Sequence, residues 1–367
     1  MHEKETKGSA SIVTRRAFVG SLVGGILGGG VFIGAANSSR EDGEGAAISS
    51  SPLPGRGDGW EPTYLALHRS GELKERTEAV WSIMNACALC PRQCGAQRIS
   101  GRRGFCGAPG ARLVISGSSP HFGEERPLVG RHGSGTIFFS HCNLRCVFCQ
   151  NWEISHRGRG TERSVEDLAG MMLALQNRGC HNINTVTPTH YMPHILKALD
   201  IAAGRGLKIP VVYNTSGWER LEIIKLLDGI VDIYLPDIKY GSSETAGRLS
   251  AGADCYPETT QAAVLEMHRQ VGVAQTPSDG IMRRGLMIRH LVMPNHVEDS
   301  KTVMSWIADH LPLETYVNIM AQYTPHYQAM DFPEIARRVT RDEYRQVVHK
   351  AKALGFTNLD ARNAWLL

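Results

Sequence analysis

Strand-like and helix-like segments alternate along the middle of this chain, and this alternation constrains the fold more than any other feature. β-branched and apolar runs predict six strands, and a helix-like segment separates each strand from the next. The predicted strands span residues 136–140, 183–187, 209–213, 230–235, 285–292 and 316–320. Because strands joined by helical crossovers lie parallel, the pattern predicts an α/β fold with a mostly parallel sheet. An open (β/α)6 barrel and a doubly wound sheet both satisfy it.

Three cysteines, Cys142, Cys146 and Cys149, lie within the eight residues 142–149, just after the first predicted strand. A [4Fe-4S] cube usually takes four cysteine ligands, so a loop with three leaves one iron open to another ligand. The loop also leaves the carboxyl end of a strand, which is the active-site edge of parallel β/α folds. A zinc site that includes His141 is the alternative, although structural zinc ligands come more often as two separated pairs. A disulfide framework is not typical of so compact a loop.

A second cysteine group lies before this loop. Cys87, Cys90, Cys94 and Cys106 have C-x2-C-x3-C-x11-C spacing, with glycines that allow tight turns around a metal. The group predicts either a four-cysteine zinc site or a second iron-sulfur cluster. A cluster could relay electrons to the first site, whereas zinc would brace the segment.

The first 36 residues are typical of an export signal. Arg15 and Arg16 precede an uncharged, glycine-rich stretch from Ala17 to Ala36, which ends in small residues. Paired arginines before a weakly hydrophobic region resemble a twin-arginine signal, with cleavage expected after Ala36. An uncleaved membrane anchor or a packed helix are the alternatives. The signal favours export, with only transient membrane contact. The supply of cofactors in the cytoplasm instead favours a cytoplasmic location.

Composition divides the chain into five predicted parts. These are the signal-like segment 1–36, a disordered linker 37–59, a Cys-rich metal or iron-sulfur module 60–130, a barrel 131–325 and a helical extension 326–367. Helix-like spacing also predicts helices over residues 65–86 and 218–227. The net charge is +4 and the basic residues are dispersed, so no nucleic-acid partner is expected.

Polar side chains follow the second, third and fourth predicted strands and lie within the fifth, at the edge where a parallel barrel would carry its site. A single polar residue at a strand end is more often a turn or cap residue than a ligand. Several sets in register with the three-cysteine loop form a stronger signal. The candidate binding residues are Thr187, Thr189, Asn214, Ser216, Asp237, Lys239 and Arg289.

With these motifs, the chain resembles the radical S-adenosylmethionine (SAM) superfamily. Its C-x3-C-x2-C spacing is the signature of the superfamily. Cys90-Pro-Arg-Gln-Cys94, Cys149-Gln-Asn151 and Asp237-Ile-Lys239 resemble a finer branch, the pyruvate formate-lyase activating enzyme-like iron-sulfur proteins. The resemblance covers about residues 87–325 and favours a partial (β/α)6 barrel.

The resemblance implies an oxidoreductase with a [4Fe-4S] cluster on Cys142, Cys146 and Cys149, whose open iron is chelated by SAM. An electron from a low-potential donor would cleave SAM into methionine and a 5'-deoxyadenosyl radical. In activating enzymes, this radical removes hydrogen from a glycine Cα of a partner protein. No side chain of this chain is assigned a catalytic role by this chemistry, because the cofactors carry it.

The resemblance also implies roles for the strand-end residues. Activating enzymes hold the SAM amino group with a Gly-Gly-Glu motif, whose place is taken here by residues 187–189, so Thr187 and Thr189 would serve through hydroxyls or carbonyls. Asn214 and Ser216 are candidates for the ribose or carboxylate, and Arg289 for the carboxylate. Asp237 and Lys239 would lie near the methionine end or the target, or would only order the barrel mouth.

Three functions satisfy the sequence. The first is a radical SAM enzyme that acts on a protein or peptide, as activating enzymes do. The second keeps SAM cleavage but acts on a small molecule. The third is a non-catalytic iron-sulfur or zinc protein for electron transfer or interaction, which is favoured if the altered 187–189 segment no longer binds SAM.

Overall fold

The structure, a computed structural model, describes residues 59–362. The predicted export signal and all of the predicted linker except Gly59 lie outside the described residues. The strands are β1 (Leu113–His121), β2 (Ser134–Phe139), β3 (Thr161–Arg163), β4 (Ile183–Val186), β5 (Val211–Thr215), β6 (Ile233–Pro236), β7 (Gly285–Leu291) and β8 (Tyr316–Met320). They form one sheet in the order β3-β1-β2-β4-β5-β6-β7-β8.

The six predicted strands correspond to β2, β4, β5, β6, β7 and β8, which pair in parallel in that order. The prediction of an α/β fold with a mostly parallel sheet is therefore confirmed. An open sheet of this kind agrees with a partial barrel. The strands β1 and β3 were not predicted, and both pair antiparallel at the β2 edge, which makes the sheet mixed.

Eleven α-helices surround the sheet in the described part of the chain. They are α1 (Tyr64–Ser70), α2 (Glu72–Ser82), α3 (Arg126–Val129), α4 (Trp152–Ser155), α5 (Val165–Asn177), α6 (Met192–Gly204), α7 (Leu221–Leu226), α8 (Ser243–Leu249), α9 (Tyr256–Val271), α10 (Val297–His310) and α11 (Arg341–Ala353). No helix among residues 59–362 has both the length and the apolar character of a membrane span.

Two helix predictions need correction. The segment 65–86 forms α1, α2 and a 3-10 turn (Ile83–Ala86) instead of one helix. Gly71 separates α1 from α2 with φ of +85°, a left-handed conformation that ends helices. The helix predicted over 218–227 begins only at Leu221, because the preceding Arg220 has an extended backbone, with φ of −77° and ψ of +131°.

The inside of the sheet changes from apolar to polar toward the carboxyl ends of the strands. Alternate residues of a strand face the same side, so residues two apart share a face. Val212, Leu235 and Met287 belong to a buried apolar cluster. The residues two positions further along the chain are polar and line a cavity; they are Asn214, Asp237 and Arg289. The fold therefore packs an apolar floor beneath a polar chamber.

Residues 59–362 belong to one compact unit. The predicted boundaries at 130/131 and 325/326 fall within it and stay predictions. A buried carboxylate fixes the amino-terminal helices to the sheet. Asp232 Oδ1 accepts hydrogen bonds from the backbone N–H (2.9 Å) and hydroxyl (3.0 Å) of Thr63, and Oδ2 accepts from the N–H of Val211 (3.0 Å).

We predict that Asp232→Ala lowers the free energy of unfolding by about 2–4 kcal/mol, because buried backbone donors lose their acceptor. Urea denaturation followed by circular dichroism measures the change. Asp200→Ala is the matched control, since Asp200 also joins an amino-terminal helix to the barrel through a 2.6 Å pair with His68 but is about one-quarter exposed. We expect Asp200→Ala to lower the free energy of unfolding by less than about 1 kcal/mol. Equal losses in the two variants would contradict the assigned role of Asp232.

Candidate functional site

The carboxyl ends of the parallel strands surround a cavity of about 260 Å³. The three cysteines predicted as ligands, Cys142, Cys146 and Cys149, line one wall. The predicted strand-end residues that line the same cavity are Thr187, Asn214, Ser216, Asp237, Lys239 and Arg289. The structure therefore brings together all but one of the predicted residues of this site. The exception is Thr189, which does not line the cavity.

The three-cysteine loop, residues 142–149, is held from several sides. The backbone N–H of His141 donates to the carbonyl of Ile154 at 2.8 Å, and that of Val147 donates to Leu249 at 2.9 Å. His141 and Arg145 have left-handed φ values of +73° and +57°, which turn the chain sharply around the thiols. These contacts define the positions of the cysteines before any ligand binds.

Cys146 of this loop is buried, Cys142 and Cys149 are half-buried, and two of the three thiols contact hydroxyl groups. Cys146 Sγ lies 3.2 Å from Ser250 Oγ, and Cys149 Sγ lies 3.1 Å from Ser155 Oγ. Burial raises the pKa of Cys142, Cys146 and Cys149 above the usual thiol value. Iron would displace these protons, because thiolate is the ligand form.

Sulfur donors suit an iron-sulfur cluster. Within residues 59–362, no three His, Cys, Asp or Glu side chains are arranged so that they could hold a single metal ion. A [4Fe-4S] cube gives each cysteine its own iron and so spans more widely separated sulfurs than one ion does. The three thiols on one cavity wall fit such a cluster in number and chemistry.

A buried charge cluster lies on another wall of the cavity. Asp237 contacts Lys239 Nζ at 2.5 Å through Oδ2 and Arg289 Nε at 2.8 Å through Oδ1. Burial alone would raise the pKa of Asp237, but Arg289 and Lys239 hold it below the usual value. Asp237 and, more weakly, the nearby Cys146 outweigh burial and raise the pKa of Lys239. All three side chains therefore stay charged.

Arg289 already has partners for all its nitrogens. Besides Asp237, the guanidinium contacts Glu124 at 3.3 Å through Nη1, and its Nη2 donates to Asn214 Oδ1. Burial raises the pKa of Glu124. A ligand carboxylate at Arg289 would have to share these contacts. Glu124 was not predicted from the sequence, because it lies in the segment between β1 and β2 rather than at the end of a parallel strand.

Ser216 is the predicted residue with an unused polar group. Its hydroxyl is buried, lines the cavity and has no hydrogen-bond partner in the protein. An unpaired buried hydroxyl costs free energy unless a ligand or water satisfies it. Ser216 is thus available to a cofactor.

Behind the segment 187–189 lies a carboxylate that sequence reasoning missed. Thr189 Oγ1 donates to Glu219 Oε1 at 2.6 Å, and Thr215 Oγ1 donates to the same oxygen. Glu219 is fully buried, and burial raises its pKa to about 7. Glu219 was hidden inside the predicted helix 218–227, so its position on a strand-end loop was not evident. It joins the loops after β4 and β5.

Thr187 carries backbone strain at the cavity wall. Its φ is +60°, a left-handed conformation that is rare for β-branched residues. Its N–H donates to the carbonyl of Asn214 at 2.9 Å, which holds the turn in place. Strained positions of this kind often occur at functional sites.

The four cysteines of the second group also lie near one another. Cys87, Cys90 and Cys106 are buried, Cys94 is exposed, and none forms a disulfide. Burial, with smaller contributions from Cys106 and Cys87, raises the pKa of Cys90 to about 12. A Cβ on Gly104 would lie 3.1 Å from Cys94 Sγ and 3.7 Å from Cys106 Sγ, so these two thiols lie on either side of one glycine. A metal at this group stays a prediction.

Comparison with known proteins identifies related chains. An uncharacterized protein of Methanocaldococcus jannaschii, MJ0674, is 32% identical over 287 residues, which cover 76% of this chain and 77% of that protein. A second from the same organism, MJ0808, is 24% identical over 292 residues, 72% of this chain and 80% of that protein.

Two solved structures are similar at low identity. Streptococcus suis SuiB bound to precursor peptide SuiA has a TM-score of 0.41 and 12% identity, covering 60% of this chain and 45% of SuiB. The chain thus spans less than half of SuiB. The enzyme anSMEcpe bound to AdoMet and the Kp18Cys peptide has a TM-score of 0.37 and 14% identity, covering 58% of this chain and 56% of anSMEcpe. Likeness at this level carries no argument about substrate.

The model of the radical SAM superfamily matches residues 136–306, which include most of β2, the three-cysteine loop and the strand ends up to β7. The predicted superfamily is therefore confirmed, while its activating-enzyme-like branch stays a prediction. From this match and its relatives, the chain belongs to the radical SAM superfamily.

Proposed function

We propose that this protein is a radical SAM enzyme whose cluster binds Cys142, Cys146 and Cys149 and whose SAM occupies the adjoining cavity. The main support is that the three thiols line the same cavity as the polar residues at the ends of the parallel strands. When bound, the cluster and SAM supply one-electron reductive cleavage of SAM, which yields a 5'-deoxyadenosyl radical that removes a hydrogen atom from the substrate.

The side chains of the cavity would bind and orient SAM. Lys239 and Arg289 lie on one wall, paired with Asp237 and, for Arg289, also with Glu124, and the carboxylate of SAM would bind these two cations by sharing those contacts. Ser216 and Asn214 offer polar groups for the ribose or carboxylate. Glu219 does not line the cavity and instead positions the loops that carry Thr187 and Ser216. Burial of these groups limits water around the reacting atoms.

We propose a protein or peptide as the substrate, with a glycine Cα of a glycyl-radical-type partner as the specific target. Support comes from the motifs shared with activating enzymes, such as Cys149-Gln-Asn151 and Asp237-Ile-Lys239. A low-potential electron donor is the second expected partner. A small-molecule substrate is the alternative, and a stable complex with a protein partner in pull-down experiments would argue against it.

We propose that Cys87, Cys90, Cys94 and Cys106 hold a second metal centre, either an iron-sulfur cluster or zinc; zinc would require the thiols to move closer together, because no three such side chains among residues 59–362 are arranged to hold a single ion. Support comes from their spacing, their free thiols and their common location. We also propose that residues 1–36 act as a twin-arginine signal, for which Arg15 and Arg16 are the motif residues. Replacing both arginines with lysine and following the location of the protein in cell fractions tests this proposal.

Cys146→Ala should abolish release of 5'-deoxyadenosine by anaerobically reconstituted protein given SAM and dithionite, because the cluster loses a ligand. Chromatography of the products measures the release. Cys180→Ala is the matched control, since Cys180 is a buried free thiol that does not line the cavity. Undiminished release from Cys146→Ala would contradict the proposed site, as would an inactive wild-type protein that carries its full iron and sulfide.

Ser216→Ala should weaken SAM binding about 3- to 10-fold, which corresponds to the loss of one hydrogen bond of about 0.5–1.5 kcal/mol. Isothermal titration of the reconstituted protein with SAM measures the affinity. Thr315→Val is the control, because it removes a buried, unpaired hydroxyl that is not part of the cavity wall. If both variants bind SAM as the wild type does, Ser216 is not a SAM contact.

Glu219→Gln should change how stability depends on pH. Burial raises the pKa of Glu219 from 4.5 in the unfolded chain to about 7, so the folded state holds the extra proton between these values. The wild type should therefore lose stability as pH rises from about 4.5 through 7, whereas this decline, on the order of 3 kcal/mol, should be absent from the variant.

Urea denaturation at pH 5 and pH 8 measures the effect of Glu219→Gln. Glu222→Gln is the control, because Glu222 lies three residues away but its side chain is about two-thirds exposed. Parallel stability-pH curves for wild type and Glu219→Gln would show that Glu219 is not a buried titrating group.

A further inference from the structure

One arginine side chain connects the two cysteine groups. Arg92 lies two residues after Cys90, and its guanidinium donates to three backbone carbonyls outside its own segment. Nε donates to Asn143 at 3.2 Å, Nη1 to Ala251 at 2.7 Å and Nη2 to Ser250 at 3.1 Å. Neither the proposed SAM site nor the proposed second metal centre uses these contacts.

The guanidinium is fixed in orientation by aromatic rings. Its carbon lies 4.2 Å from the ring centre of Phe105 and 4.6 Å from that of Trp218. Phe105 precedes Cys106 of the four-cysteine group, and Trp218 follows β5. Two cation-π contacts and three hydrogen bonds hold the planar fork in one geometry, which a flexible lysine could not reproduce.

Each carbonyl that Arg92 contacts belongs to a segment that touches a thiol of the three-cysteine loop. Asn143 directly follows Cys142. Ser250 carries the hydroxyl that lies 3.2 Å from Cys146 Sγ. The same side chain therefore reaches the surroundings of two of the three proposed cluster ligands, and its backbone belongs to the segment between Cys90 and Cys94.

We infer that Arg92 is a positioning residue that couples the two cysteine groups, fixing the three-cysteine loop and raising the reduction potential of its cluster. This inference rests on the proposed function, because it requires a cluster at the loop. The potential of an iron-sulfur cluster depends on nearby charge and on hydrogen bonds. A fixed positive charge favours the reduced cluster, which carries one more negative charge. The redox step is the transfer of one electron from an external low-potential donor, with no bond or proton exchanged.

The coupling runs in both directions. Arg92 lies in the chain two residues after Cys90, and its side chain donates to the carbonyl of Asn143, which directly follows Cys142. A change in charge or ligand occupancy at the four-cysteine group therefore alters how Arg92 is held, and with it the environment of the three-cysteine loop. This effect requires only that some metal occupies the four-cysteine group, whether zinc or iron.

The test is a redox titration of the anaerobically reconstituted full chain with dithionite as electron donor, followed by electron paramagnetic resonance. Arg92→Met should shift the midpoint of the three-cysteine cluster to lower potential, and Arg92→Lys should shift it less, because lysine keeps the charge but not the fork. Arg220→Met is the matched control. Arg220 also joins the four-cysteine segment to the barrel, because its Nη1 donates a 2.7 Å hydrogen bond to the carbonyl of Ala88. Arg220→Met should leave the midpoint potential unchanged.

A double-mutant cycle tests the coupling itself. Cys94→Ser, which alters the exposed ligand of the four-cysteine group, should shift the midpoint in the wild-type background but less in the Arg92→Met background. Equal shifts in both backgrounds overturn the coupling. If both Arg92 variants have the midpoint potential of the wild type, the inferred role of Arg92 is overturned. If Arg92→Met does not retain its cluster, the midpoint potential of Arg92→Lys alone is the test: a lowered value supports the role and an unchanged value overturns it. A wild-type protein without a reducible cluster is instead a failure of the proposed function.

Discussion

The chamber at the carboxyl ends of the strands depends on one buried carboxylate, Asp237, shared by two cations. Asp237 follows β6 and pairs with Arg289 on β7, while its own N–H donates to Thr215 on β5 at 2.9 Å. Side chain and backbone together therefore hold three strand ends at fixed spacing. Removing one member of a buried ion network leaves an uncompensated charge, which is costly. The same network places Lys239 close enough to Cys146 for each charge to affect the other.

Arginine side chains join the amino-terminal cysteine segment to this chamber. Arg98 is fully buried and donates to the carbonyls of His190 at 2.7 Å and Pro109 at 2.8 Å. Arg220 reaches Ala88 from the barrel side, and Arg92 reaches Asn143 from the cysteine side. Guanidinium groups suit such contacts because several donors in one plane can satisfy several carbonyls. The four-cysteine segment is thus an integral part of the barrel mouth rather than a tethered appendage.

The sequence predicted the parallel strands and the three-cysteine loop well, because helical crossovers and ligand spacing are local patterns. It also placed Asn214, Ser216, Asp237 and Lys239 on one cavity, since parallel strands end at the same edge. The antiparallel strands β1 and β3 were missed. Gly117 and Pro120 interrupt the β1 pattern, and β3 has only three residues.

Other features depend on contacts that no local pattern encodes. The hydroxyl of Thr189 turns away from the cavity to Glu219, a partner thirty residues later in the chain. The left-handed Gly71 divides the helix predicted over 65–86, although the apolar spacing continues through it, and the extended backbone of Arg220 delays the start of the helix predicted from 218. The bridging role of Arg92 likewise appears only when distant segments are brought together in space.

The central claim is that SAM binds the open iron of a cluster held by the three-cysteine loop, inside the chamber. Electron-nuclear double resonance on the reduced, reconstituted protein with SAM labelled by ¹⁷O in the carboxylate and ¹⁵N in the amino group tests it directly. The account predicts strong coupling of both labelled atoms to the cluster. A reduced cluster whose spectrum shows no coupling to either label at saturating SAM would contradict it.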